Sequence, residues 1–200
     1  AAKKRLDDLF SQPLDRVESS LKLPRPSGVI RLEGVTFTYP GHTKAQLQPL
    51  SGEIGPHGLH AIVGHNGSGK TTLLKLIRGL YTPTQGRVLL DGADMHQYSQ
   101  AELASHMGYL SQGGHRFSAG QAKRIAIAQS LLNDPPVMLL DEPTAELDRD
   151  SELRLIKVLK ELAIDHTVIV VSHSPLLLSH CQGVLVLDKG KLVAAGPAAQ

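Results

Sequence analysis

Residues 64 to 72 read Gly-His-Asn-Gly-Ser-Gly-Lys-Thr-Thr. They fit the phosphate-binding pattern G-x-x-x-x-G-K-[ST], with Gly64, Gly69, Lys70 and Thr71 in the fixed places. An anion bearing several charged oxygens has to be wrapped by backbone N–H groups, and only residues without a Cβ let the chain curl that closely; Gly64, Gly67 and Gly69 supply this freedom. The spacing predicts a helix from about Lys70, with its free N–H groups and positive dipole end aimed at the phosphates. The Lys70 ammonium would reach the outer phosphates and the Thr71 hydroxyl would ligate Mg²⁺. A strand-length apolar run, Leu59 to Val63, precedes the loop, and Leu73, Ile77 and Leu80 follow at helical spacing. That context favours nucleotide binding over a Gly-rich turn beside a surface lysine.

Composition narrows the class further. Two hundred residues suit one domain with a real core. The formal charge of +2 comes from scattered Lys and Arg, which gives no reason to propose nucleic acid. Cys181 is the only cysteine, so no internal disulfide forms, and as a site it reads as inert. No apolar run approaches the length of a membrane span. The chain opens Ala1-Ala2-Lys3-Lys4 and suggests a piece of a longer polypeptide.

Leu6, Leu9 and Phe10 with Pro13, Pro24 and Pro26 make residues 1 to 27 either the end of a helix running into an irregular linker or a frayed terminus. Val29 to Tyr39, punctuated by Gly34 and Pro40-Gly41, reads as strands and turn, with Leu47 to Ile54 a partner strand; together they form a small antiparallel layer. Arg87 to Asp91 reads as a strand, Gln100 to Ser105 as a short helix and Met107 to Ser111 as a strand that exits through Gln112. A helix from Ser118 would carry Ile125, Ala128 and Leu132 along one side until Pro135-Pro136 ends it. Val137 to Glu142 is an apolar strand ending in two carboxylates. At the carboxyl end of a buried parallel strand, Asp141 can hold the metal and Glu142 can take a proton from water attacking the γ-phosphate. The alternative is a strand surfacing into an acidic turn. Leu155, Ile156, Leu159 and Leu162 form a helix face, and Thr167 to Ser172 is a strand followed by His173. Three polar exits, Gln112, Asp141 and His173, therefore fall at strand ends expected to share one sheet edge. His60, His65, His115 and His166 read as surface or loop residues, and Gly183 to Leu187 with Lys191 to Ala194 as a terminal hairpin.

Gly64 to Thr72, Gln112, Phe117-Ser118-Ala119-Gly120-Gln121, Leu139 to Pro143, Ala145-Glu146-Leu147-Asp148 and His173, in this order, resemble the nucleotide-binding domain of ATP-binding cassette (ABC) transporters of the export type. The resemblance runs from about Gly28 to Ala195. It implies an α/β fold: a RecA-like parallel sheet of the P-loop NTPase kind flanked by helices, with a small antiparallel β subdomain. It implies ATP and Mg²⁺ as ligands, held by Gly64, His65, Asn66, Gly67, Ser68, Gly69, Lys70, Thr71 and Thr72. Tyr39 would stack on adenine, unless it is an ordinary strand aromatic. Gln112 would touch the metal or the attacking water, Asp141 would hold the metal, Glu142 would be the base, and His173 would contact the γ-phosphate. Two such domains are expected to sandwich two ATP molecules head to tail, with Ser118, Gly120 and Gln121 of one facing the nucleotide of the other and Asp148 at the interface. The implied partners are that second domain and a transmembrane domain, at the cytoplasmic face of the membrane, with residues 1 to 27 as linker. A switch with little turnover and a non-membrane ABC ATPase are the competing expectations.

Two departures matter. Phe117 and Ala119 replace the Leu and first Gly of the usual Leu-Ser-Gly-Gly-Gln; if Ala119 needed a positive φ, the change would cost about 1 kcal/mol. Only Gly113 to Phe117 separate Gln112 from Ser118, where the family carries a helical subdomain. The six steps from Gln112 to Ser118 span at most about 20 Å. The subdomain is therefore expected to be missing between residues 112 and 113, leaving 28 to 200 as the nucleotide-binding domain.

Overall fold

The structure, a computed structural model, describes residues 27 to 111 and 119 to 197. The expectations placed on residues 1 to 26, on Gln112 and on Ser118 lie outside the described residues. The described chain enters through Asp91, whose carboxylate accepts from Ser27 Oγ at 2.9 Å and from the Val29 N–H at 2.9 Å. It leads into β1 (Ile30–Phe37), flanked by antiparallel β2 (Leu47–Ile54) and β4 (Gln85–Leu90) and extended by β5 (Ala93–Asp94). Gly34 does not divide two strands as the sequence suggested. Its φ is 56°, the pairing slips between Leu32 and Val35, and its N–H donates to Ser51 Oγ at 2.8 Å, so one strand carries a bulge.

The second sheet is built from β3 (Gly58–Val63), β6 (Met107–Leu110), β7 (Val137–Asp141), β8 (Thr167–Val171), β9 (Gly183–Asp188) and β10 (Lys191–Pro197). Its order is β10-β9-β3-β8-β7-β6, parallel throughout except for the β9–β10 hairpin. Strands covered on both faces should read as unbroken apolar runs, and β7 and β8 do. Val137, Leu139, Ile169 and Val171 join one core with the antiparallel layer and α1 (Lys70–Arg78). Their alternates Met138, Leu140, Val168 and Val170 join a second core. That second core includes Leu155, Ile156 and Leu159 of α4 (Arg149–Leu162) and Leu177 of α5 (Pro175–Leu178). Between them in the chain lie α2 (Gln100–His106) and α3 (Ala119–Ser130). No helix among the described residues is long and apolar enough to cross a membrane.

The structure decides three points the sequence leaves to tertiary contact. The sequence places Ile125, Ala128 and Leu132 along one side of this helix, and that side faces out: Ile125 is 51% exposed, Ala128 is exposed and Leu132, just past the end of α3, is 83% exposed, while Ala122 and Ile127 are buried. Periodicity found an apolar stripe without revealing which stripe meets the sheet. His166 is buried, with Nδ1 2.9 Å from the Leu162 carbonyl and Nε2 2.8 Å from Asp134 Oδ1; a polar ring is tolerated there because both nitrogens are engaged. Ala119 is the first residue of right-handed α3, so the positive-φ penalty does not arise. Cys181 is buried with its thiol pKa pushed up to about 11, as an inert residue should be.

Leu139→Ala, at a position with no exposure, is expected to destabilise the domain by about 2–5 kcal/mol. Leu132→Ala should change stability by less than about 0.5 kcal/mol. Urea unfolding midpoints compare the two.

Candidate functional site

Strand β3 delivers the chain into the phosphate-loop motif, and α1 starts at Lys70 on an N-cap of Gly69 that offers no side-chain hydrogen bond. The other described α-helices with a defined start are capped by side chains: Ser99 for α2, Asp148 for α4 and Ser174 for α5. Helix α1 alone among these has bare N–H groups, and no acidic residue occupies its first turn. Its positive end is thus left for an external anion. Gly69 has φ 99°, and a Cβ there would meet Leu47 Cδ2 at 2.5 Å; Gly67 has φ 81° and faces open space. Gly69 is required by both its positive φ and the close packing, Gly67 by its positive φ alone.

The far end of the chain secures the loop. The Gly190 N–H donates to the Ser68 carbonyl at 3.0 Å, and the Gly190 carbonyl accepts from the Gln48 N–H at 2.8 Å. Ser68 is buried, and its Oγ has no hydrogen-bond partner among the described residues. His65 and Asn66 are exposed at the loop tip.

Parallel neighbours β3, β8 and β7 bring the loop, His173 and Asp141-Glu142 to the same sheet edge. Thr71 Oγ1 donates to Asp141 Oδ2 at 3.1 Å. Asp141 is 6% exposed, and its other oxygen, Oδ1, lacks a partner among the described residues. Burial raises the Asp141 pKa above the usual carboxylate value, opposed by the Thr71 hydroxyl and by Lys70 and Lys75. Lys70, 7% exposed, donates to the Gly64 carbonyl and approaches His173 Nε2 at 2.8 Å. Desolvation lowers its pKa, opposed by Glu142 and Asp141. His173 Nε2 also lies 3.2 Å from Glu142 Oε1. In a neutral ring that nitrogen either accepts from Lys70 or donates to Glu142, so the tautomer selects one partner.

The remaining residues divide. Tyr39 sits beside the loop: its hydroxyl is 2.8 Å from Thr72 Oγ1, and its ring packs edge-on against Phe37 and Tyr81. Asp148 caps α4, Oδ1 accepting from the Ser151 N–H at 2.7 Å, which holds its pKa below the usual range. Gln121 is exposed on α3, and Gly120 lies in the first turn of that helix. No sequence signal points to Lys123. Its ammonium donates to the carbonyls of Glu142 at 3.0 Å and Ala145 at 2.9 Å, a tertiary contact that no local spacing encodes.

A magnesium ion prefers hard oxygen donors and usually takes one or two carboxylates, completing its shell with phosphate oxygens and water. Thr71 and Asp141, with its partnerless buried Oδ1, fit that demand. No cluster of three or more His, Cys, Asp or Glu suited to a metal occurs among the described residues.

A phosphate-binding loop at the carboxyl edge of a parallel sheet defines an α/β P-loop protein. The sequence profile of the family described as ABC transporter matches residues 47 to 117 and 112 to 145. The ATP-dependent lipid A-core flippase of Xanthomonas euvesicatoria pv. vesicatoria (strain 85-10) is 31% identical over 248 aligned positions, covering 98% of this chain and 42% of the flippase. That of Xylella fastidiosa (strain Temecula1) is 30% identical with the same coverage. A bacterial Atm1-family ABC exporter with ATP bound superposes with a TM-score of 0.78 at 25% identity, covering 89% of this chain and 40% of the exporter. A dimeric ATP-binding cassette in a post-hydrolysis state, bound to ADP and Pi, shares the fold with a TM-score of 0.76 at 23% identity, covering 86% of this chain and 99% of the cassette. The chain belongs to the ABC transporter family and has the ABC ATPase fold. It spans about two fifths of the length of the curated relatives it matches.

The raised Asp141 pKa carries a sign. An acid whose native pKa lies above its unfolded value weakens the fold as pH rises, from the unfolded value through the native one, and costs nothing below both. Asp141→Asn should therefore raise the thermal midpoint at neutral pH and flatten its dependence on pH, read by calorimetry.

Proposed function

We propose that this chain binds and hydrolyses ATP with Mg²⁺ as the nucleotide-binding domain of an exporter, at the cytoplasmic face of a membrane, in bacteria the inner one. The observation that carries the reading is the convergence of Lys70, Asp141, Glu142 and His173 on one sheet edge beside the bare start of α1. In this reading the N–H groups of residues 65 to 72 wrap the phosphates and Lys70 neutralises the outer ones. Thr71 and Asp141 hold Mg²⁺, joined by Gln112. The metal, when bound, offsets charge that develops on the transferring phosphoryl group. Glu142 orients and deprotonates the attacking water; the oxygen bonds to the γ-phosphorus, the bond to the β-phosphate oxygen breaks, and ADP and phosphate leave. His173, in contact with both Lys70 and Glu142, aligns the two. Tyr39 stacks on the base.

The reading continues to a head-to-tail pair of such domains, with Ser118, Gly120 and Gln121 of one completing the other's site and Asp148 at the interface. It also includes a transmembrane domain joined through residues 1 to 27. The names of the curated relatives, ATP-dependent lipid A-core flippases, support an exporter. The dimeric state of the structurally similar cassette is consistent with pairing.

A missing helical subdomain between residues 112 and 113 completes the proposal. The alignment to the flippases runs to 248 positions against 200 residues here, so the relatives carry residues that this chain lacks. The family profile matches in two pieces that meet at residues 112 to 117, and Ile125 and Leu132 of the neighbouring region stand exposed. If Gln112 and Gly113 are covalently joined, the chain binds ATP without a docking lobe and acts as a switch with little turnover. A proteolytic peptide in which Gln112 is joined directly to Gly113 would establish that case; residues found between them would restore the lobe.

Glu142→Gln in the full polypeptide is expected to lower ATP turnover about 10²-fold or more while leaving ATP affinity nearly unchanged. Equal turnover would sink the base assignment. Lys70→Ala should instead weaken ATP binding itself, measured by equilibrium titration.

A further inference from the structure

We propose that Lys123 is a positioning residue that fixes the backbone of Glu142 for hydrolysis. The proposal rests on the reading of Glu142 as the general base. Glu142 has φ 50°, a left-handed conformation that a side chain with a Cβ seldom adopts. Left to itself this residue would relax to an ordinary helical or extended conformation, and its carboxylate would swing with it. Something has to hold the strained peptide.

Three hydrogen bonds do so. The Glu142 N–H donates to the Val171 carbonyl at 2.8 Å, anchoring the residue to β8. The Glu142 carbonyl accepts from the Ala145 N–H at 3.2 Å and from Lys123 Nζ at 3.0 Å. Lys123 Nζ also donates to the Ala145 carbonyl at 2.9 Å, so one ammonium clamps both ends of the turn. A lysine usually extends its head into water. Here it is half-buried, and desolvation lowers its pKa, opposed by Glu146 and Glu142. Its charge is directed at two carbonyls, where a neutral side chain would make a weaker bond. The side chain of Glu142 is thereby left to meet His173. Lys123 touches no reacting atom; it acts through the peptide of the residue that does.

The test compares Lys123→Met, Lys123→Arg and Glu142→Gln in the full polypeptide, measuring kcat and KM for ATP, affinity for trinitrophenyl-ATP and the thermal midpoint. Lys123→Met is expected to reduce kcat at least about tenfold while KM and analogue affinity stay within about twofold. Lys123→Arg, which keeps the charge and the donors, should recover a substantial part of kcat. Added to Glu142→Gln, Lys123→Met should lower the residual rate no further, because both act on one step. A parental kcat in Lys123→Met would overturn the proposal. So would a fall in kcat that tracks lost affinity and a lowered midpoint, with no rescue by arginine, since that pattern marks packing alone. Parental turnover in Glu142→Gln is the separate outcome that removes the base reading itself.

Discussion

The start of α1 concentrates positive charge and gives it no partner in its own turn. Bare N–H groups, the dipole end and the Lys70 ammonium meet where other helices in the same chain place a Ser or Asp cap. Among the described residues Lys70 meets a backbone carbonyl and His173 Nε2, and desolvation by burial depresses its pKa. The acids that could relieve it stand on the next strands, and Asp141 is itself held unfavourably in a buried place. Both halves are organised for ligands that carry the opposite charges. In the proposed reading a phosphate satisfies the helix end and a divalent cation satisfies the carboxylate.

The parallel sheet makes that arrangement possible at small local cost. β3, β8 and β7 are buried on both faces, so their side chains are committed to two cores and their backbones to each other. Apart from His60, which turns its ring to the His57 carbonyl, polar groups appear only where these strands begin or end. Because the strands run the same way, those ends coincide, and residues distant in sequence become neighbours. The antiparallel layer adds Tyr39, tied by its hydroxyl to Thr72 in α1.

Much of this is legible in the sequence because each signal is local. The loop needs its glycines at fixed spacing, β7 and β8 are apolar throughout, and Leu155, Ile156 and Leu159 mark the buried face of α4. What escapes is what tertiary contact decides. The exposed stripe of α3 and its buried one are both apolar, so spacing could not choose Ala122 and Ile127 over Ile125 and Leu132. His166 reads as a loop residue until Asp134 and the Leu162 carbonyl are seen around it. Asp148 is legible equally as a helix cap and as an interface acid, and the structure supplies the cap. Lys123 meets Glu142 across two separate elements, which no local pattern announces.

The bond from Gly190 to the Ser68 carbonyl gives the loop a dependence in time as well as in space. A ribosome releases the loop well before it releases the β9–β10 turn. Until that turn arrives and also takes up the Gln48 N–H, the loop lacks one of its fixed walls. The phosphate cradle is thus among the first parts of the domain to be synthesised and among the last to be finished. A nascent chain interrupted inside β9 would carry the full loop motif without a settled place for a phosphate.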